Sequence, residues 1–184
     1  MTINSSRRWR VVALAIIIEA LVAVGVIWII RPHDAAPTFA TFRAPSTATG
    51  VSWATATVTS GPARHNSAVS MVVVNGSAHA MVITSISSSV AATGMLHVDR
   101  NLCDPHEVMT TLSTMEISAH RGVHLGLHGA GAMLMNVQSS LHRGAHVTLV
   151  VRWLDGAGTR HVSEVDATVI PAPAHLQYTA PMAM

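Results

Sequence analysis

The alternation of apolar and polar residues predicts β-strands throughout the chain after residue 50. Short runs rich in Val, Ile and Thr are separated by Gly, Asn, Pro and Ser, which is typical of a β-sandwich or barrel and not of βαβ units. The run from His146 to Trp153 alternates like a half-buried antiparallel strand, and Asp155-Gly156-Ala157-Gly158 supplies a hairpin turn. We predict strands at Val51–Thr59, Ala68–Asn75, Ala80–Ser87, Met95–Val98, Thr114–Ile117, Gly122–Leu127, Ala132–Val137, His146–Trp153 and His161–Ile170.

An apolar run near the start of the chain predicts a membrane anchor. Residues 11–30 are apolar except for Glu19, and this length spans a bilayer as a helix. A cleaved secretory signal has a shorter apolar region and a small-residue cleavage site, whereas Pro37 follows directly after Ala36 here. We therefore favour an uncleaved single-pass anchor over a signal peptide. The arginines of residues 1–10 place that segment in the cytoplasm and everything after residue 30 outside, in the periplasm or its equivalent.

The segments on either side of the predicted β domain have different compositions. Residues 31–50 are rich in Ala, Pro, Thr and Ser and are predicted to form a flexible tether. Residues 51–171 form the domain, and residues 172–184 form a tail that contains His and Met. Glu19, in the middle of the anchor, has two interpretations: contact with another membrane protein, or a neutral carboxyl tolerated in a single helix.

The composition excludes several functional classes. Charged residues make up 11% of the chain, hydrophobic residues 49%, and the net charge is +2. The basic residues are scattered and aromatic residues are too few for stacking platforms, so nothing indicates nucleic-acid binding. The sequence has no nucleophile elbow, phosphate loop, zinc-protease helix or pair of carboxylates in a plausible cleft. We therefore predict that the protein is not an enzyme.

Sulfur and imidazole side chains are concentrated between residues 95 and 135. Thioether and imidazole are the ligands expected for copper, because soft sulfur selects Cu(I) and imidazole serves both oxidation states. Met71, Met81 and Met115 are typical of core residues, which is the usual role of methionine. Met133 and Met135, by contrast, are two apart in a predicted strand and point the same way. The segment contains Met95, His97, Cys103, His106, Met109, Met115, His120, His124, His128, Met133 and Met135.

These residues, in their order, resemble the PCu(A)C family of bacterial cell-envelope copper(I) chaperones. The resemblance implies an all-β, cupredoxin-like antiparallel sandwich, here preceded by one N-terminal transmembrane helix. It also implies Cu(I) bound by a His, a Met about ten residues later, and a final His-x-Met, with delivery to the copper centre of a haem-copper oxidase. The matching stretches are Val51-Ser52-Trp53, Val72-Val73-Val74-Asn75-Gly76, Leu96-His97, Glu107-Val108-Met109, Met115-Glu116-Ile117-Ser118-Ala119, Met133-Leu134-Met135 and Leu141-His142-Arg143-Gly144.

Carried over by position, the resemblance implies that His97, Met109 and Met133 are copper ligands. The gap between His97 and Met109 is one residue longer than in the family. The position two before Met133 is Gly131, where the family has its second His. We expect either a site that has lost a ligand or a substitute donor, and the candidates are His128, His124, His106 and Cys103. We favour His128, because the Gly129-Ala130-Gly131 segment is flexible enough to fold its imidazole back.

The remaining soft donors keep more than one interpretation. Cys103, the only cysteine, is a Cu(I) ligand, a transient handle to a partner thiol, or a loop thiol without a role. His120, His124 and His128 are four apart, which in a strand places them on one face. That face either collects metal weakly or is simply solvated. We favour the solvated interpretation for His120, and also for His142 and His146, which repeat the spacing.

Two functional hypotheses from different classes follow. The first is a membrane-anchored, extracytoplasmic Cu(I) chaperone that passes copper to an acceptor such as a haem-copper oxidase or its assembly factors. Its ligands would be His97, Met109, Met133 and a substitute, with Met135 and Cys103 as further candidates. The second is a structural or partner-binding subunit of a membrane complex, with the same fold and a degenerate metal site. Gly131 favours the second hypothesis, and the retained His97 and methionines favour the first.

Overall fold

The protein folds as an all-β domain. The computed structural model describes residues 39–98, 109–126 and 129–172, and within these ranges every regular element is a β-strand. The all-β class predicted from the sequence is thus confirmed. The strands are β1 Thr41–Arg43, β2 Val51–Thr59, β3 Ser67–Asn75, β4 Met81–Ser87, β5 Ala91–Val98, β6 Thr110–Leu112, β7 Met115–Ile117, β8 Arg121–Leu125, β9 Ala130–Val137, β10 His146–Leu154 and β11 Arg160–Ile170.

All the predicted strands are present, most of them with ends shifted by one or two residues. The largest difference is β5, which begins at Ala91 and not at Met95. Its first residues are Ala91, Ala92, Thr93 and Gly94, whose small side chains carry no clear apolar alternation. The short β6 was not predicted, because its three residues are held by pairing with β5 and not by a pattern of their own.

The segment predicted as a tether contributes to the sheet. β1 pairs antiparallel with β8, and Phe42 lies opposite Gly122. A Cβ at Gly122 would fall within 2.8 Å of Cε1 of the Phe42 ring, so a side chain there would require the ring to move. Phe39 packs against the core and Ala44 is buried. Residues 39–50 are therefore part of the domain, a correction to the predicted tether, because its two phenylalanines cover apolar surface that would otherwise face water.

One curled sheet builds the domain. The strand order is β6-β5-β9-β3-β2-β11-β10-β4-β7, and β8 pairs with β1 and β3. All pairs are antiparallel except β2 with β11. β4 and β5 lie near opposite ends of this order, yet they contact each other. The sheet therefore curls round on itself like a barrel, and the side chains of its inner face form a single core.

The core confirms the assignments made from apolar alternation. Met71, Met81 and Met115 are each 1% exposed, as predicted for core methionines. Val147, Leu149 and Val151 of β10 are also buried. The inner face thus accounts for three of the methionines, and those of the outer face need a different explanation.

The predicted transmembrane anchor, residues 11–30, lies outside the described residues, as does most of the predicted tail at 172–184. Within the described ranges no helix is long and apolar enough to cross a bilayer. The anchor and the orientation that follows from it stay predictions.

The turn between β10 and β11 is held by the carboxylate of Asp155. Its Oδ2 lies 2.9 Å from Nε2 of His161, and its Oδ1 accepts the backbone N–H groups of Ala157 and Thr159, both at 2.9 Å. The His161 ring in turn stacks on Trp153, with centroids 4.3 Å apart. The hydrogen bond from His161 and those from the backbone lower the pKa of Asp155 from 3.8 to about 2. The hairpin predicted at this turn is confirmed.

We expect this carboxylate to stabilise the fold in a pH-dependent manner. Because the folded state lowers the pKa of Asp155 to about 2, its contribution is complete above 3.8 and is lost as the pH falls through 2. The Asp155→Asn variant should be less stable than the unmodified protein at neutral pH, and the difference should shrink towards pH 2. Urea unfolding of both proteins across this range measures it. A difference that stays constant down to pH 2 would contradict the assignment.

Candidate metal site

The candidate site lies on three neighbouring strands. β5 is the middle strand, with β9 on one side and β6 on the other. His97 of β5 is opposite Gly131 of β9 and opposite Thr111 of β6. Leu96 and Leu134 point into the core, so the alternating positions of the same strands face outward. The outward positions of β5 and β9 around His97 are Met95, His97, Gly131, Met133 and Met135.

His97 occupies the space next to Gly131. A Cβ placed on Gly131 would lie 2.5 Å from Nε2 and 2.6 Å from Cε1 of the imidazole, closer than real Cβ atoms come. The same Cβ would also meet the carbonyl oxygen of Gly126. His97 is only 3% exposed although its strand position faces outward. Glycine at 131 therefore makes room for the His97 ring.

Two methionines stand next to His97 on the same face. Met95 and Met133 are directly opposite each other, and both are half-buried. The Oγ1 hydroxyl of Thr111 donates a hydrogen bond to the Sδ of Met95 at 3.4 Å. Met133 is the diagonal neighbour of His97, a spacing of about 7–8 Å that long side chains reach across. On its other side Met133 faces only the small side chain of Ala68.

Met109 and Met135 lie farther from this centre. Met109 immediately precedes β6 and is 47% exposed. The register of β6 places it beyond His97, on the side away from Met133. Met135 is opposite Thr93, one step further along β9 and on the same face. The structure thus brings together His97, Met133 and Met95, with Met109 at the exposed rim and Met135 at the opposite edge.

The other candidate donors are divided between exposed positions and segments that are not described. His128, Cys103 and His106 fall outside the described residues, so their roles as substitute ligands stay predictions. His124 is an exposed residue of β8. Its ring packs against that of Phe42, with the ring centroids 5.1 Å apart. That ring contact gives His124 a structural role at the edge of the sheet.

The predicted face shared by His120 and His124 is wrong. His120 lies in the turn before β8 with a left-handed φ of 54°, where its carbonyl accepts the N–H of Ala44. His146 lies 2.7 Å from the carboxylate of Asp166. His120, His142 and His146 are all exposed, in agreement with the solvated interpretation.

The candidate donors on β5, β6 and β9 are neutral. β5, β6 and β9 contain no acidic residue. Among the described residues, no cluster of three or more His, Cys, Asp or Glu side chains forms a metal site. Any metal held here by the described residues would therefore be bound by imidazole and thioether, which favours a soft cation over a hard one.

Met95 is the site residue that the sequence-based ligand set omitted. The family motif has no methionine at this position, so carrying the motif over could not identify it. The signal available in the sequence was its spacing, since Met95 is two residues before His97 and shares its face in any strand. Its direct pairing with Met133 required the register of β5 and β9.

Comparisons with known proteins agree with this architecture. Residues 47–169, more than half of the chain, match the family described as "Putative lipoprotein LpqE-like". The copper-bound PCuAC domain from PmoF2 is 10% identical with a TM-score of 0.55 and covers 72% of this chain and 99% of its own. The apo PmoF2 domain is 11% identical with a TM-score of 0.54 and covers 67% and 91%. These two likenesses establish a common fold and confirm the predicted resemblance.

A third solved structure is the solution structure of CuI-DR1885 from Deinococcus radiodurans. It is 21% identical with a TM-score of 0.49 and covers 76% of this chain and 82% of its own. No curated protein matches the sequence.

Proposed function

Because the chain belongs to the LpqE-like family, and its fold is that of a domain that has been solved with copper bound, we propose that it is a copper(I) carrier. The observation that carries this proposal is the soft-donor group of His97 and Met133 on the outer face of β5 and β9. Met109, exposed immediately before β6, would complete the site from solvent. Among the described residues the donors at this site are neutral imidazole and thioether groups, which suit a monovalent soft cation.

Such a carrier works by ligand exchange and needs no catalytic group. Thioethers bind metal without losing a proton, and they do not form disulfides in an oxidising compartment. A site with few ligands and an exposed rim can release its ion to an acceptor that offers more or stronger ligands. A haem-copper oxidase or its assembly factors is the acceptor class that the family resemblance favours.

We propose that the carrier acts at the outer face of a membrane. The apolar run of residues 11–30, preceded by arginines, supports a single-pass anchor with the domain outside. The family description refers to lipoproteins, whereas lipid attachment through cysteine has only Cys103 available in this sequence, within the β domain. The apolar run is therefore the better candidate for membrane attachment.

One observation favours a second candidate function. Gly131 stands where the resemblance implies a histidine ligand, and the His97 ring fills the adjacent space. A domain that had lost its metal would keep the fold and serve as a partner-binding subunit of a membrane complex. The two functions differ in whether the domain holds Cu(I) at all.

A copper(I) titration separates the two functions. We use the full chain in mild detergent, because a truncation at residue 45 would remove β1 and its pairing with β8. Cu(I) is titrated against a competing chelator under reducing conditions. For a carrier, His97→Ala and Met133→Leu should each weaken binding by about tenfold or more.

The matched control for this titration is His146→Ala. That side chain is exposed and pairs with Asp166 on β11, away from the candidate site, so it should leave Cu(I) affinity unchanged. If the unmodified protein binds no more tightly than the His97→Ala variant, the carrier function fails and the structural function stands.

A further inference from the structure

We propose that Met95 is a copper(I) ligand of this chain and takes the place of the imidazole that is missing at residue 131. The inference rests on the proposed function and specifies the ligand set of that site. It gives a centre of one imidazole and two thioethers, formed by His97, Met95 and Met133. The residues of this set come from two neighbouring strands and need no donor from a loop.

The register makes these three residues a compact triangle. Met95 and Met133 are direct partners, which places their Cα atoms about 4.5–5.5 Å apart. Met95 and His97 are two residues apart on one strand, about 6.6 Å. His97 and Met133 are diagonal neighbours, about 7–8 Å apart. Each of these separations is short enough for the side chains to converge on one ion above the sheet.

The sulfur of Met95 lies on the β6 side of β5, level with His97. Its Sδ accepts a hydrogen bond from Thr111, and Thr111 is the direct partner of His97 on β6. The thioether therefore reaches the level of the imidazole from the β6 side of β5, whereas Met133 approaches it from the β9 side. Thr111 Oγ1 bonds to one lone pair of the sulfur, which leaves the second lone pair available for a metal ion.

Packing alone does not account for the two methionines. The core methionines Met71, Met81 and Met115 are 1% exposed and point inward. Met95 and Met133 are half-buried and lie on the opposite face, where apolar alternation would place polar residues. A facing pair of thioethers beside a histidine is the arrangement that a soft-metal site requires.

This ligand set makes a prediction about metal selectivity. Two thioethers and one imidazole favour Cu(I) and Ag(I) over Cu(II) and Zn(II), because thioether is a soft donor and binds harder divalent ions weakly. We expect the unmodified protein to bind Ag(I) in competition with Cu(I), and to show no comparable affinity for Zn(II).

The test replaces Met95, Met133 and one core methionine by leucine, a change that nearly conserves volume. Met95→Leu and Met133→Leu should each weaken Cu(I) binding about tenfold or more. Met81→Leu is the matched control, because its side chain is buried in the core and lies on β4, which pairs with β10 and β7. The Cu(I) affinity of this variant should stay within about twofold of that of the unmodified protein. Thermal unfolding without metal verifies that all variants are folded.

A second readout follows the sulfur atoms themselves. With ¹³C-methyl-labelled methionine, the ε-methyl signals of Met95 and Met133 should shift on addition of Cu(I) or Ag(I), while that of the buried Met71 stays in place. If Cu(I) binds and His97→Ala weakens it, but Met95→Leu changes neither affinity nor spectrum, this inference is overturned and the carrier function survives. An equal loss in Met81→Leu also overturns it. If the unmodified protein binds no Cu(I), the proposed function itself fails.

Discussion

Replacing Asn75 with alanine is expected to lower the free energy of unfolding by about 3 kcal/mol. Asn75 is fully buried at the end of β3. Its Nδ2 group donates to the carbonyls of His79 at 2.8 Å, Ile117 at 3.0 Å and Ser118 at 3.2 Å. Its Oδ1 accepts the N–H and hydroxyl of Ser77 at 3.1 and 2.6 Å. One amide thus ties β3 to the following turn and to the end of β7, and its loss leaves several polar groups without partners.

Two further variants identify the role of the amide. Asn75→Asp keeps the size and the acceptor but places oxygen against three carbonyls, so it should destabilise at least as much as alanine. Ser77→Ala removes a hydroxyl and keeps the backbone N–H bond to Oδ1, so its cost should be smaller, about 1 kcal/mol. Urea unfolding of the three variants measures these effects. An Asn75→Asp variant as stable as the unmodified protein would show that donation by Nδ2 is unimportant.

Most strands were predictable because the buried residues of each strand alternate with exposed ones in the sequence. β10, with Val147, Leu149 and Val151 on its inner face, is specified by its own alternation. β1 and β6 are three residues long and exist through pairing with β8 and β5, so no local pattern predicts them. The phenylalanines of residues 39–50 were the only sequence feature that indicated packing against the domain. Two such residues in a Pro- and Ala-rich segment did not outweigh its tether-like composition.

The candidate site was predictable in its elements but not in its geometry. The resemblance identified His97 and Met133, and the structure places them as diagonal neighbours. The place of Met95 opposite Met133 depends on the register between β5 and β9, which are separated along the chain by more than thirty residues. The sequences of β5 and β9 do not determine their register, because a shift of one strand by two residues keeps every side chain on the same face.

Replacing Gly131 with alanine is also expected to cost about 3 kcal/mol, because the new methyl group overpacks a filled space. The Cβ would lie 2.5 Å from His97 Nε2 and would also meet the backbone carbonyl of Gly126. The imidazole can rotate away, whereas the carbonyl can move only with its chain. Gly126→Ala is the matched control: among the described residues its Cβ would contact only the Ser70 hydroxyl, at 3.9 Å, so it should cost less than about 1 kcal/mol.

Combining Gly131→Ala with His97→Ala tests whether the two positions depend on each other. If the ring causes much of the clash, the alanine at 131 should cost less once His97 is removed, with a coupling energy of about 1 kcal/mol or more in a double-mutant cycle. Strictly additive costs would show that the ring moves aside freely. Coupling would mean that the glycine is required by the position of His97. Because the carbonyl of Gly126 also excludes a side chain at 131, only the coupled part of the cost is assigned to the imidazole.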